Sequence, residues 1–441
     1  MSRRLESAAV VLAALGVCAN AAPAAVPTPG PPQSRAIAIV GGLVHPVAGP
    51  DIANGVVVFE HGRITALGPA ATTAVPAGAE RIEAAGKHVY PGLIDPWTTM
   101  GLTEIDAVRS TRDFAETATL APNVRADAAF QPESELIPVA RSNGVLLVHS
   151  TPRGGVIAGR SALMELDGWT PVEMTVKAPL GLVVNWPAMV IVPATDGGPS
   201  EDRQKENRDR ALRQIAQAFD DAQAYRAART AQSPRDLRWE AMLPVLEGTA
   251  PLFVVAEEVH QIEAAVAFAD QRHMKLVLYG GYDAPKVAAL LKEHDVAVIV
   301  PSTQRLPRRR SDPYDAPFTL PALLGRAGIR YCIGSGGNSW GSRNLPYQAA
   351  TAQAFGLSAA EALRAITLST AQILGTADRV GALAPGRDAT LFVSDGDILD
   401  EPTHVEQAFV EGRRVDLTDK QKVLNEKYQE KYRRLGIATK P

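Results

Sequence analysis

Between residues 93 and 374, short apolar runs alternate with helical patterns, and no other feature of the chain constrains its fold as much. The runs at 93–95, 145–149, 182–185, 252–256, 276–279, 296–300 and 330–333 have the near-continuous apolar character of strands buried on both faces. Helical periodicity falls between most of them, at 133–141, 259–272, 284–294, 319–327, 347–355 and 359–374. Strand–helix alternation over about 280 residues predicts a parallel α/β fold of the length of a TIM (β/α)8 barrel. Seven strands are visible in the sequence, so the eighth is inferred.

Both flanks of this region are β-rich. Segments 37–44, 55–60 and 63–67 read as strands, with His61-Gly62 as a hairpin turn. Segments 388–393 and 405–415 read alike, with a turn at Glu411-Gly412. Two such flanks predict a small β-sandwich domain built from the N- and C-terminal segments. The expected division gives this sandwich an N-terminal half at 36–89 and a C-terminal half at 376–416. The barrel lies between them at 90–375, and a C-terminal amphipathic helix follows at 417–441. The charged, Ala-rich stretch 201–232 reads as a solvated outer helix.

Residues 1–21 have the grammar of a signal peptide: Arg3 and Arg4, an apolar run at 8–17, then Ala19-Asn20-Ala21. The run is too short for a comfortable membrane span. The expected location is therefore secreted or periplasmic, with 22–35, rich in Ala and Pro, as a disordered leader. Only Cys18 and Cys332 occur, which excludes a disulfide scaffold, and Cys332 reads as a core residue. A formal net charge of −3 with dispersed basic residues argues against a nucleic-acid binder.

The segment Tyr90-Pro91-Gly92-Leu93-Ile94-Asp95 resembles the PGLID signature of the amidohydrolase superfamily. Residues 381–391 (GALAPGRDATL) resemble the segment where those chains re-enter their sheet domain. Residues 39–44 are similar to their opening strand, and 357–375 to their last barrel helix. The closest resemblance is to the imidazolonepropionase-like branch. It implies a barrel with a composite β-sandwich, and hydrolysis of C–N bonds of cyclic amides by a metal-activated water. Coordination, usually to zinc, brings the pKa of water down to about 7.

The resemblance also implies a ligand set, and the matched positions depart from it. Trp97 and Thr99 stand where the first strand carries His-x-His. Val255 and Gly280 stand at the histidines of the fifth and sixth strands, and Gly336 at the aspartate of the eighth. Zinc takes about four N, S or O donors near 2.0–2.3 Å, and these side chains supply almost none. No resident metal is expected, unless a displaced site binds zinc.

Strand C-termini face a barrel's mouth. Asp95 and Glu257 are the candidate acid/base residues, Asp95 being also readable as a strand-end cap. His149, Asn185, Tyr279, Ser302 and Ser335 are candidate binding residues. His149, Glu257 and Asp283 form the candidate displaced metal set. The Gly-rich loop 334–339 reads as a cover for the space the aspartate left, Arg305 with Arg308–Arg310 as a solvated charge run, and 152–159 as a lid.

Three functions stay open. The first is a non-catalytic pseudoenzyme that binds a small molecule or partners a related active subunit. The second is a C–N (non-peptide) hydrolase with a displaced metal or acid/base site. The third is an anion-binding barrel. Homo- and hetero-oligomers are both open.

Overall fold

The computed structural model describes residues 28–194, 198–230, 232 and 234–437. The signal peptide expected at 1–21 lies outside them.

Two sheets make up the β-structure. The first joins the flanks: β1 (Ile37–Val44), β2 (Ile52–Glu60), β3 (Arg63–Pro69), β4 (Glu80–Glu83) and β5 (His88–Pro91) precede the barrel. The strands β14 (Leu391–Ser394), β15 (Val405–Val410) and β16 (Arg413–Val415) follow it. Their order is β16-β15-β14-β5-β1-β2-β3, with β4 on β1, so β14 lies antiparallel between β5 and β15. The sheet encloses its own core of Ile39, Val57, Phe59, Ile82, Leu391 and Phe409, drawn from both flanks. Its tight hairpins fall where the sequence places them. His61 (φ 51°) with Gly62 (φ 76°), and Glu411 (φ 44°) with Gly412 (φ 75°), supply paired left-handed residues, which match the twist of the flanking strands.

The second sheet is the barrel, nearly closed, with strands in chain order. They are β6 (Leu93–Thr98), β7 (Val145–Ser150), β8 (Ile157–Glu165), β9 (Thr175–Asn185), β10 (Leu252–Ala256), β11 (Leu276–Gly280), β12 (Ala297–Val300) and β13 (Tyr331–Ile333). The strand left to inference is β8, and it runs antiparallel to both β7 and β9. The lid expected at 152–159 is only in part a loop, because from Ile157 the chain is barrel wall. The other neighbours pair in parallel. Among the described residues no ladder joins β6 to β13. The seam is crossed instead by the Ser335 and Ser342 hydroxyls, which donate to Asp95 Oδ2.

Helices cover the barrel. The expected outer helix is Glu201–Ala228, capped by Ser200, and it buries Ile215, Ala218, Phe219 and Ala222. The single helix expected at 359–374 is two, Ala359–Ala365 and Leu368–Ile373. Cys332 is a buried strand residue, and burial pushes its thiol up out of the reactive range.

An ion cluster ties the barrel to the flanking sheet. Arg413 contacts Glu165 at 2.9 Å and Asp167 at 3.4 Å, while Arg141 holds Asp167 at 2.8 Å. Residues 28–35 belong to the stretch expected to be a disordered leader, yet they dock here. The Gly30 N–H donates to Asp167 Oδ2 (3.2 Å), and Gln33 bonds the Phe59 carbonyl and the Gly62 N–H. Specific hydrogen-bond partners outweigh the Pro-rich composition that suggested disorder.

Candidate functional site

The C-terminal ends of β6, β7, β10, β11 and β13 meet at the barrel mouth, and aromatic rings fill it. Trp97, on β6, is 2% exposed. Its ring stacks on Tyr279 of β11 at 4.3 Å and 16°. It also stands edge-on to His149 at 5.7 Å and to Phe253 at 6.0 Å. The mouth is therefore plugged by Trp97. Such a packed cluster contributes beyond simple area burial, because offset and edge-to-face rings satisfy one another's quadrupoles.

His149 lies fully buried beneath this plug. Its Nδ1 sits 2.7 Å from the Pro96 carbonyl, so Nδ1 carries the proton and Nε2 is a bare lone pair. Nε2 is buried and has no hydrogen-bond partner. Burial drives its pKa down to about 3 against the pull of the Pro96 carbonyl, so the ring is neutral.

Asp95 is 0% exposed and lies inside β6, two residues before Trp97, where it is held by hydroxyl groups of the chain beyond β13. Oδ2 accepts from Ser335 Oγ (2.5 Å) and Ser342 Oγ (2.8 Å), and Oδ1 from the Trp97 N–H (3.4 Å). Burial raises its pKa, opposed by these hydrogen bonds. The Gly-rich loop completes the closure. The Thr99 N–H donates to the Gly337 carbonyl, and the Thr98 hydroxyl bonds the Asn338 carbonyl.

Glu257, just beyond β10, accepts from Arg305 Nη1 at 2.7 Å and from the Tyr282 N–H at 3.1 Å. Arg308 reaches it at 3.6 Å. Asp283, beyond β11, is held by Arg309 and by Lys286 (2.8 Å). Burial alone raises the Asp283 pKa, but these cations outweigh it and the net shift is downward. Arg305 and Arg309 also lie over the Tyr282 ring, at 5.3 and 5.7 Å. The arginine loop is thus a clasp across the acids of two strand ends and not the solvated run expected. The displaced metal set does not converge: His149 is under the plug, while Glu257 and Asp283 are each engaged by arginine.

The remaining candidates are supports. Asn185 Nδ2 donates to the carbonyls of Arg153 (3.1 Å) and Gly155 (2.8 Å). Ser302 donates to Gln348 Oε1 at 2.8 Å, and the same oxygen accepts from the Thr303 and Gln304 N–H groups. Sequence reasoning missed Gln348, whose role depends wholly on tertiary placement. It also missed Arg305 and Arg309 as partners of Glu257 and Asp283. The available signal was opposite charge on neighbouring strand-end loops. Away from the mouth, His45 Nε2 and His88 Nδ1 lie 3.0 Å apart, and His45 Nδ1 is 3.0 Å from Asp51.

The positions that the resemblance matches to metal ligands do not fit zinc. Trp97 is committed to the stack, and Val255 has no donor. Thr99 is 2% exposed, with its N–H tied to the glycine loop. At Gly280 the backbone itself leaves no room. With φ at 117°, a Cβ there would fall 2.5 Å from the Ala256 carbonyl oxygen and 2.9 Å from Glu257 Cδ. Gly336 is also left-handed, at φ 104°. Among the described residues, no three His, Cys, Asp or Glu side chains are grouped to hold a metal ion.

Residues 252–418 match the model of the amidohydrolase family. No curated protein matches the sequence. Among solved structures, an amidohydrolase from Thermotoga maritima MSB8 superposes with a TM-score of 0.75 at 23% identity, over 86% of this chain and 99% of that one. An adenosine deaminase from Xanthomonas campestris with bound zinc has a TM-score of 0.51 at 17% identity, over 91% and 99% of the two chains. Molinate hydrolase has a TM-score of 0.53 at 17% identity, over 87% and 95%. At these identities the structures speak for fold alone. Residues 252–418 thus match the amidohydrolase family, and the whole chain is similar in fold to solved amidohydrolases.

Proposed function

We propose that this chain is a non-catalytic member of the amidohydrolase superfamily, exported to the periplasm or beyond, that serves as a binding or partner subunit for a related active chain. One observation carries the reading. The indole of Trp97 fills the mouth, stacked on Tyr279, at a position where the family places a ligand histidine. The rigid Gly280 backbone and the clasped acids Glu257 and Asp283 support it.

The deciding experiment is metal content, measured by mass spectrometry on chain purified without a His-tag. It is paired with a hydrolysis panel of cyclic amides, ureas and N-acyl amino acids. Metal well below one per chain and no turnover are expected. Co-purification with a superfamily relative that retains its ligand set would complete the case. Near-stoichiometric metal that chelation removes, with loss of stability, would overturn the reading and favour a C–N hydrolase with a displaced site.

A further inference from the structure

The helix Lys420–Arg434 is specified locally and yet buries no residue. Asp419 caps it by accepting from the Lys422 N–H at 2.9 Å, and Glu430 braces its last turn through Arg433 and Arg434, each at 2.7 Å. A helix of 15 residues is marginal in water without a surface for its apolar face. That face is present and uncovered. Leu424, Tyr428, Tyr432 and Leu435 are 40%, 46%, 39% and 62% exposed. At 3.6 residues per turn they fall within an arc of about 80°.

The charges on this helix are sorted. Lys420, Lys427 and Lys431 lie along one edge of the apolar stripe, by the same helical geometry. None of the three has an ion-pair partner among the described residues. Lys431 sits over the Tyr428 ring at 5.7 Å. The helix's two acids, Glu426 and Glu430, lie on the far side, where Arg433 and Arg434 are paired with Glu430. A solvated helix has no need to segregate unpaired lysines beside its apolar stripe.

We propose that this helix is a membrane-interface element that lies flat on an anionic lipid surface, with Leu424 and Leu435 buried among acyl chains. Tyr428 and Tyr432 would sit at headgroup depth, and Lys420, Lys427 and Lys431 would extend their stems to lipid phosphates. Three points favour lipid over an acidic protein partner. The middle of the stripe is tyrosine, which suits a boundary with one apolar and one wet side better than a dry helix–helix seam. Long lysine stems beside an apolar face snorkel to an interface. A helix with a strongly basic polar face and an aromatic-bearing apolar face is the form that lies in the interface plane. No helix among the described residues is long and apolar enough to cross a membrane, so the contact is peripheral.

The test uses the full chain with sedimentation of phosphatidylglycerol-containing vesicles, with pure phosphatidylcholine vesicles alongside. Wild type is expected to sediment with the anionic vesicles, to release at 0.5 M salt and to bind neutral vesicles weakly. Each lysine near an anionic surface contributes roughly a fivefold factor. The triple variant Lys420→Gln, Lys427→Gln, Lys431→Gln is therefore expected to bind at least tenfold more weakly. Leu424→Ser with Leu435→Ser should lose binding at unchanged charge. None of these positions belongs to the buried core, so the barrel's unfolding midpoint stays put in both variants. Equal vesicle binding by the triple variant would overturn the proposal by assigning the contact to another region of the chain. Absence of wild-type binding to anionic vesicles would overturn it too, with an acidic protein partner as the remaining occupant.

Discussion

The indole of Trp97 and the phenol ring of Tyr279 lie face to face, 4.3 Å apart, across the mouth of the barrel. Each ring reaches the stack from a different strand, so the pair also braces β6 against β11. Removing the indole leaves a void among the rings of Tyr279, His149 and Phe253. Trp97→Ala is expected to cost about 3–5 kcal/mol in urea unfolding. A loss below about 1 kcal/mol would mean that the plug is loosely seated and the mouth opens readily.

Gly280 tests whether the end of β11, which the resemblance matches to a ligand histidine, has room for a side chain. Any side chain there meets the Ala256 carbonyl oxygen at 2.5 Å, in a left-handed backbone. Gly280→Ala is expected to destabilise by about 2 kcal/mol or more. A neutral alanine variant would show that the β11 end relaxes easily, and the steric argument against a ligand at this position would fail.

His149 predicts acid sensitivity. Its folded pKa, near 3, is depressed below the ordinary 6.5 by burial. The unfolded chain therefore takes up the proton first as the pH falls. The stabilising contribution of the neutral ring is complete above pH 6.5 and is lost as the pH drops from 6.5 towards 3. His149→Gln, which keeps an uncharged polar group, should flatten this region of the stability–pH curve. A His149 imidazole resonance, assigned by its loss in His149→Gln, that titrates near 6.5 in the folded protein would contradict the burial.

Glu165 works in the opposite direction. Burial first, then the neighbouring Glu411 carboxylate, push its pKa up to about 8, with Arg413 pulling the other way. Arg413 is shared with Asp167 and Glu411, so it cannot fully compensate Glu165. The folded state holds this proton between pH 4.5 and 8 while the unfolded state releases it. The contribution is complete below pH 4.5 and is lost as the pH rises through 8. Glu165→Gln should weaken that decline by about 1 kcal/mol or more between roughly pH 6 and 8.5, measured by urea midpoints. An identical decline in wild type and variant would place the proton elsewhere.

Much of this architecture is written in local chemistry. The two hairpins of the flanking sheet needed only His61-Gly62 and Glu411-Gly412 between alternating strands, and both turns form. The parallel barrel strands were legible as apolar runs because both of their faces are buried. Strand β8 was not, since Gly159 and the glycines before it read as loop, and nothing local encodes strand direction. Nor was the break at Thr367, where no glycine or proline intervenes. Its hydroxyl bonds the Leu363 carbonyl at 2.6 Å, an alternative to continuing the helical ladder. At the mouth, the resemblance to the PGLID signature placed Trp97 two residues beyond Asp95, although the apolar run itself was legible only as 93–95 and the strand continues to Thr98. The meeting of Arg305 with Glu257 was beyond local reading, because the two lie 48 residues apart and are joined only by the barrel's curvature.

The insertion of β14 between β5 and β15 imposes an order on assembly. Strand β5 ends at Pro91, and its second neighbour begins only at Leu391, about 300 residues later along the emerging chain. Until then β5 presents an unpaired edge next to the very residues that start the barrel, and exposed edges of this kind recruit foreign strands. The barrel therefore emerges while three of the eight strands of its companion sheet are still to come. A fault anywhere between β6 and β13 would leave that edge open, so damage to the barrel should surface as aggregation seeded from the flanking sheet.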